Sequence, residues 1–365
     1  VANSLENLLR AIARFQVRHT YTLAVFIVLF TLALGAGLSS LTVNSDIKKE
    51  MPTGLPIYRL NDRVSDKFGG EDTVVIAARI DENVNSRRAV RDIRDPRVIS
   101  SLAFLEESLK GENGVTSIVS PLQAGLFSRD YRTTLMYVRA DLGGSEEKIQ
   151  GFSRMLEEKV EYTPKPPGLK FSLTGLPLLR VSIFELLKRD AVFTLAVSSV
   201  LILLLLWVMQ RSVGWGLLVF GPLSLGLIWT MGTLGWLGIP LSIATVGLSS
   251  MILGLGVEYG VFVVTRYREE RDKGVSKERA LETAVHGVGS AITGSGLTTI
   301  VGFGVLSFAS IPMMQHLGQT LALGIAYSLL AAIVANPVFI LLAERHNGWQ
   351  KKPVKLERSG GGGEV

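Results

Sequence analysis

Six stretches of about 18 or more residues with almost no charge limit what this chain can fold into. At 1.5 Å rise per residue each one is long enough to cross a hydrocarbon core of roughly 30 Å. No water is available there to satisfy backbone N–H and C=O groups, so each stretch must be a helix that pairs them internally. The stretches are Val17–Leu38, Ala191–Met209, Val213–Trp236, Leu241–Thr265, Val285–Ala309 and Leu317–Ala343. Charged residues make up 19% of the 365, below the quarter or so of soluble domains, and they crowd into the connectors. The sequence therefore predicts an α-helical polytopic membrane protein.

The connectors also predict sidedness. Arg10, Arg14 and Arg18 precede span one and Arg211 follows span two. Arg266, Arg268, Arg271, Lys273, Lys277 and Arg279 follow span four, and Arg345, Lys351 and Lys352 follow span six. The turns Gly238-Ile239-Pro240 and Ser310-Ile311-Pro312 carry no positive charge. Both termini on the cytoplasmic side of the cell membrane satisfy every loop. This placement accounts for the net charge of +6 and gives no reason to expect nucleic acid.

The expected plan is then a cytoplasmic amphipathic helix over 1–16, span one over 17–38, an extracytoplasmic domain over 39–189, spans two to six over 190–343, and a cytoplasmic tail over 344–365. In the first segment Leu5, Leu8, Leu9 and Ile12 share one helical face, while Arg10, Arg14 and Arg18 recur every four residues on another. Two readings fit: a helix lying on the membrane surface, or a plain extension of span one. The tail from Ser359 to Val365 reads as a flexible linker of the kind left by a tag.

Within 39–189, alternating or β-branched runs at Thr73–Ile80, Val115–Val119, Thr133–Ala140 and Leu169–Leu173 predict strands. Helical patterns at Pro96–Lys110, capped by Asp95, and at Ser145–Val160, capped by Ser145, lie between them. The order, strand-helix-strand twice, is that of a ferredoxin-like α+β domain, with one more helix, Ile57–Phe68, ahead of it. The region contains no His or Cys and reads as a binding and conduit domain.

One ionisable residue lies well inside a span. Glu258 precedes Arg266 by eight residues, about 12 Å along the helix. A carboxylate at that depth costs on the order of 3 kcal/mol if it faces lipid. Gly247, Ser250, Gly254 and Thr265 share its face, Gly256 and Gly260 form a small-residue pair beside it, and span five offers Gly287, Ala291, Gly294, Thr298 and Gly302. Such stripes allow close helix approach, with Tyr259, Thr298 and Thr299 as hydroxyl partners. Glu258 reads first as a group that takes up and releases a proton. The alternative is a protonated carboxyl that merely hydrogen-bonds two helices together.

Gly254-Leu-Gly-Val-Glu-Tyr-Gly-Val-Phe262, followed by Arg266-Tyr-Arg-Glu-Glu270, resembles the fourth-helix signature of the resistance-nodulation-division (RND) superfamily. The match is to its lipid and hydrophobe exporter branch, which includes the mycobacterial large membrane proteins and hopanoid transporters. Leu297-Thr-Thr-Ile-Val-Gly-Phe303, His316-Leu-Gly318 with Gly324, Pro337 and Thr174-Gly-Leu-Pro177 resemble further segments of the same family. The resemblance implies that Glu258 stands where the family usually has a proton-carrying Asp. It also implies a pairing of two six-helix units into a twelve-helix homodimer, since most members fuse two such halves.

The expected function is export of hydrophobic or amphiphilic compounds, lipids among them, driven by the proton-motive force, with protons as coupling ion and no other cofactor. A protein-translocation accessory subunit of the SecF type is a second reading, although the aspartate–glycine-rich motif expected near its first span is missing. A lipid sensor without transport is a third. No phosphate-binding loop or nucleophile–base pair appears, and the four scattered His form no metal-ligand spacing, so neither enzyme nor metal site is expected. Two connecting segments carry expectations as well. Ser276–His286, with Ala280, Leu281, Ala284 and Val285 on one face, should lie on the cytoplasmic membrane surface or be a solvated connector. Leu176–Leu187 should couple the external domain to span two, or simply continue its helix.

Overall fold

A computed structural model describes residues 2–44, 72–81, 86–142, 146–242 and 244–347, with isolated positions at 50, 52, 56–57, 60, 63 and 84. Apart from Ile57, Leu60 and Arg63, the helix expected at Ile57–Phe68 lies outside the described residues, as do the Ser145 cap and the tail from Ser359. The chain divides into two compact units, Val1–Asn44 with Arg189–Val365, and Ser45–Lys188.

The first unit holds six helices long and apolar enough to cross a membrane: Thr20–Ser40, Leu176–Gln210, Val213–Leu237, Leu248–Asp272, Lys277–Phe308 and Pro312–Arg345. The second of these begins in the other unit, so Leu176–Leu187 is the start of one helix running without a break to Gln210. At 35 residues this helix is about 52 Å long, well beyond the hydrocarbon thickness.

Spans one and three meet backbone to backbone. A Cβ on Gly232 or Gly235 would run into the carbonyls of Leu34 and Gly37. The Trp229 indole N–H donates to the Thr31 hydroxyl at 2.9 Å across the same contact. Without a hydrophobic drive between helices in lipid, such close approach and interhelical hydrogen bonding must supply the cohesion.

Span four starts at Leu248, not at Leu241 as the apolar run suggests. Leu241 instead forms a parallel bridge with Val43, donating to Thr42 O at 2.8 Å and accepting from Asn44 N at 2.7 Å. The helix of span three has already closed at Leu237, where Gly238 takes a left-handed φ of +67°.

Span six contains a π-helical turn, Ala331–Ala335, just before Asn336 and Pro337. Pro337 has no N–H to return to the Ile333 carbonyl four residues earlier. The Gln16 amide supplies one instead, at 2.8 Å.

Gln16 belongs to the N-terminal helix, Ala2–Arg18, which a break at His19 separates from span one. Leu9 and Ala13 of this helix are buried in one cluster with Ala280, Leu281, Ala284 and Val285. Gly289 leaves room for Leu9, whose Cδ1 lies 2.9 Å from where a Cβ would stand. Arg14 Nε donates to Glu282 Oε1 at 2.9 Å. This corrects the expectation for Ser276–His286. Its apolar face packs on the N-terminal helix rather than on lipid or water, and from Lys277 onward it is already the helix of span five. Two amphipathic segments were each read alone, and each turns out to cover part of the other's apolar face.

The second unit is built on a four-stranded antiparallel sheet, β1 (Asp72–Ile80), β2 (Val115–Val119), β3 (Thr133–Ala140) and β4 (Leu169–Gly175), in the order β2-β3-β1-β4. Alternate residues Val74, Ile76, Ala78 and Ile80 of β1, with Met136, Val138 and Ala140 of β3, are buried on one face. Against that face lie Val98, Leu102, Leu105 and Leu109 of the helix Pro96–Leu109, and Ile149, Phe152 and Leu156 of the helix Glu146–Tyr162. Asp95 caps the first helix by accepting from Arg97 N at 2.9 Å. The arrangement is the ferredoxin-like split βαβ fold. At its exit Gly175 adopts φ +138°, where a Cβ would clash with the Thr73 carbonyl. Only glycine turns the chain there from β4 into the long helix.

Candidate functional site

Span four carries different side chains on its two faces. Ile252, Leu253, Gly256, Tyr259, Gly260, Val263 and Val264 are buried, and a Cβ on Gly256 or Gly260 would crowd neighbours in spans three and six. At Gly256 these are Ser328 and Leu223, and at Gly260 they are Val219 and Asn336. Met251, Gly254, Leu255, Glu258, Phe262 and Thr265 recur at steps of three and four and are exposed.

Glu258 therefore opens onto the surface of the bundle, in a groove of about 480 Å³ between spans four and five. Tyr259 and Phe262 border it from span four, and Gly287, Val288, Ala291, Ile292 and Ser295 from span five. No described side chain donates a hydrogen bond to the Glu258 carboxylate.

The expected hydroxyl partners are placed otherwise. Thr298 and Thr299 donate to the Ser295 carbonyl at 2.8 and 2.9 Å, the back-bond a threonine makes most readily in a helix. Buried Tyr259 interacts across the two spans with the Thr299 hydroxyl and lies within electrostatic reach of Glu258. The structure thus brings Glu258, Tyr259 and Thr299 together and leaves Thr298 exposed on the outer face.

The small-residue stripes also need correcting. Gly254, Gly294 and Gly302 have nothing within 4 Å of a would-be Cβ, so they do not pack spans four and five together. Gly256 and Gly260 do serve close packing, but toward spans three and six. The buried glycines of span five face elsewhere as well: Gly289 meets Leu9 of the N-terminal helix and Gly296 meets Leu329 of span six. Periodicity finds the faces of a helix, but it does not say which neighbour each face meets.

The sequence did not single out a polar cluster at the other end of span four. Glu344 accepts from the Tyr267 hydroxyl and from Arg271, whose Nε lies at 3.0 Å. Arg271 also donates to the Val275 carbonyl at 2.6 Å. Buried Asn336 donates to the Gly260 carbonyl at 3.4 Å. An amide inside an apolar run beside a proline was the available signal for Asn336. Glu344 gave none, because it lies one residue past the run that marked span six.

Six spans with a ferredoxin-like α+β domain inserted between the first and second, and a carboxylate on the fourth, define the class as an RND-type membrane protein. Residues 49–360 match the model of the MMPL family, and the chain belongs to that family. It is 32% identical over 371 residues to the membrane protein MJ1562 of Methanocaldococcus jannaschii, covering 94% of this chain and 95% of that one. It is 30% identical over 229 residues to the siderophore exporter MmpL5 of Mycobacterium tuberculosis, covering 61% of this chain but 24% of that protein. The fold is similar to the cryo-EM structure of the hedgehog release protein Disp from the water bear Hypsibius dujardini. That match has a TM-score of 0.66 and 14% identity, and covers 94% of this chain and 50% of the other. The chain thus spans about a quarter of the mycobacterial relative and half of the water bear protein.

Proposed function

We propose that this chain works as one six-helix unit of a proton-driven RND-type exporter of hydrophobic or amphiphilic compounds, lipids among them, with Glu258 as the proton carrier. It would sit in the cell membrane with both termini cytoplasmic and residues 39–189 outside, and a second copy would complete twelve spans. One observation carries the reading: a mid-span carboxylate that opens into a groove and accepts no hydrogen bond from any described side chain. A group held in place as packing glue would be buried and bonded. Glu258 is neither, so its two protonation states can alternate as its surroundings change.

The same observation supports the homodimer. Facing acyl chains, the carboxylate would cost on the order of 3 kcal/mol. A second copy covering Gly254, Glu258, Gly294, Thr298 and Gly302 would remove that cost, and small side chains suit such a contact. If the two Glu258 carboxyls met at the two-fold axis, they would share a proton. The family match and the exporter among the relatives support transport as the activity. The continuous helix from Leu176 to Gln210 is the coupling element in this reading.

The test is transport of a fluorescent amphiphile in proteoliposomes under an imposed pH gradient, comparing the native chain with Glu258→Gln and Glu258→Asp. We expect Gln to reduce gradient-driven flux to about a tenth or less, and Asp to keep a measurable part of it. Full flux with Gln would remove Glu258 from the mechanism. Absence of gradient-driven flux from the native chain across a panel of amphiphiles would move the lipid-sensor reading ahead.

A further inference from the structure

The N-terminal helix carries three stripes rather than two. Leu9, Ala13 and Gln16 are buried against the bundle. Arg10, Arg14 and Arg18 form a second stripe, and Leu8, Ile12 and Phe15 a third, between the buried and basic ones around the helix. Leu8 and Phe15 are 56% and 53% exposed although one face of the helix is already docked. A helix with one face on protein and the rest in water has no use for that third stripe. Exposed apolar side chains beside a row of arginines are the pattern of a helix at a bilayer interface.

Its position in the chain says what covers the stripe. One residue past the helix, span one begins, and its exposed apolar surface starts at Tyr21, followed by Val25, Phe26 and Leu29. The Arg345 guanidinium lies 5.0 Å from the Tyr21 ring, an aromatic–cation pair of the kind found at headgroup level. The N-terminal helix is therefore at the edge of the hydrocarbon whichever side of the membrane it occupies. Among its arginines, Arg14 is taken by Glu282. No described acidic side chain pairs with Arg10 or Arg18, and both are exposed.

We propose that this helix binds anionic lipid headgroups through Arg18, which flanks the apolar stripe, while Arg10 on the far side of the helix adds longer-range attraction to the charged surface, in the leaflet at its own end of span one. Leu8, Ile12 and Phe15 enter the acyl region beneath them. The bound lipid holds the helix on the bundle and so keeps Gln16 on the Ile333 carbonyl, at the point where Pro337 interrupts span six. Anionic lipid thereby stabilises one arrangement of the π turn in span six. The inference does not depend on Glu258 or on transport.

The experiment is hydrogen exchange on the full chain in nanodiscs of phosphatidylcholine alone and of phosphatidylcholine with phosphatidylglycerol, read on peptides from the N-terminal helix. Each basic residue near an anionic surface contributes enough attraction that exchange should slow about tenfold or more in the anionic discs. Arg10→Gln with Arg18→Gln, which leaves the Arg14–Glu282 pair and the buried face intact, should abolish the difference. Phe15→Ala should speed exchange in both kinds of disc. Equal exchange in the two lipids, or a difference that survives the double substitution, overturns the proposal. So does inorganic phosphate reproducing the slowing in neutral discs, because the surface would then read a soluble anion.

Discussion

Glu258 and Glu344 are both carboxylates on membrane-spanning helices, and their surroundings differ in almost every respect. The Glu344 side chain is 7% exposed. It is held by the Tyr267 hydroxyl and by an arginine that itself ties down the Val275 carbonyl. Glu258 sits mid-span on an exposed face, opens into a groove and accepts no hydrogen bond from a described side chain. A buried charge with full pairing is fixed, since removing one partner strands the other. Glu344 thus reads as a structural clip between spans four and six, while Glu258 is the group to which the proposed mechanism assigns the proton.

That contrast can be broken most directly at Glu344. Glu344→Ala leaves Arg271 uncompensated, and the unfolding free energy should fall by about 3 kcal/mol or more, read as a lowered midpoint in detergent. An unchanged midpoint would mean that the ion pair does not hold the helices. Next in size is Gly256→Val, which forces a branched side chain against Ser328 and Leu223 and should cost about 1–3 kcal/mol. The same change at Gly294, on the open face, should leave the fold intact and weaken pairing of two copies, seen as a shift toward monomer by analytical ultracentrifugation. Equal thermal losses at both glycines would erase the distinction between the two faces.

Gln16→Ala should cost about 1 kcal/mol, because the Ile333 carbonyl loses the donor that replaces Pro337. Glu258→Gln should change stability by less than about 0.5 kcal/mol, as expected where no partner is lost. A large loss there would make Glu258 a structural residue like Glu344. The smallest effect is expected outside the bundle, at Asp92. Its hydrogen bonds with the Arg94 side chain and backbone lower its pKa to about 2. Its contribution to stability is therefore complete above the unfolded carboxylate value near 3.8 and fades as pH falls toward 2. An NMR titration of the external unit should give a midpoint near 2 for Asp92, and one near 4 would show that the pair with Arg94 does not persist in solution.

The four strands and two helices of the external unit lie within two residues of their sequence-derived bounds among the described residues, because period-2 alternation and an Asp cap ahead of Pro96 are local signals. Glu258 was legible for a different reason: one carboxylate in an apolar run needs an explanation whatever surrounds it. That no described hydroxyl bonds to it was not legible. The hydroxyls of Thr298 and Thr299 satisfy themselves within their own helix, and the glycines beside Glu258 divide between a sealed face and an open one. Leu9, Ala280 and Ala284 show the same limit, since an amphipathic face in the sequence looks alike whether lipid or another helix covers it.

The number of spans, the inserted ferredoxin-like domain and the position of the intramembrane carboxylate can all be read from the chain. These follow from hydrophobic length, side-chain period and the cost of charge in hydrocarbon, all of which act within one segment. Helix packing is what places Gln16 at the carbonyl left open by Pro337, pairs Arg271 with Glu344, and turns Glu258 outward into a groove. Each of those depends on which segments become neighbours, and that is set by the packing of whole helices.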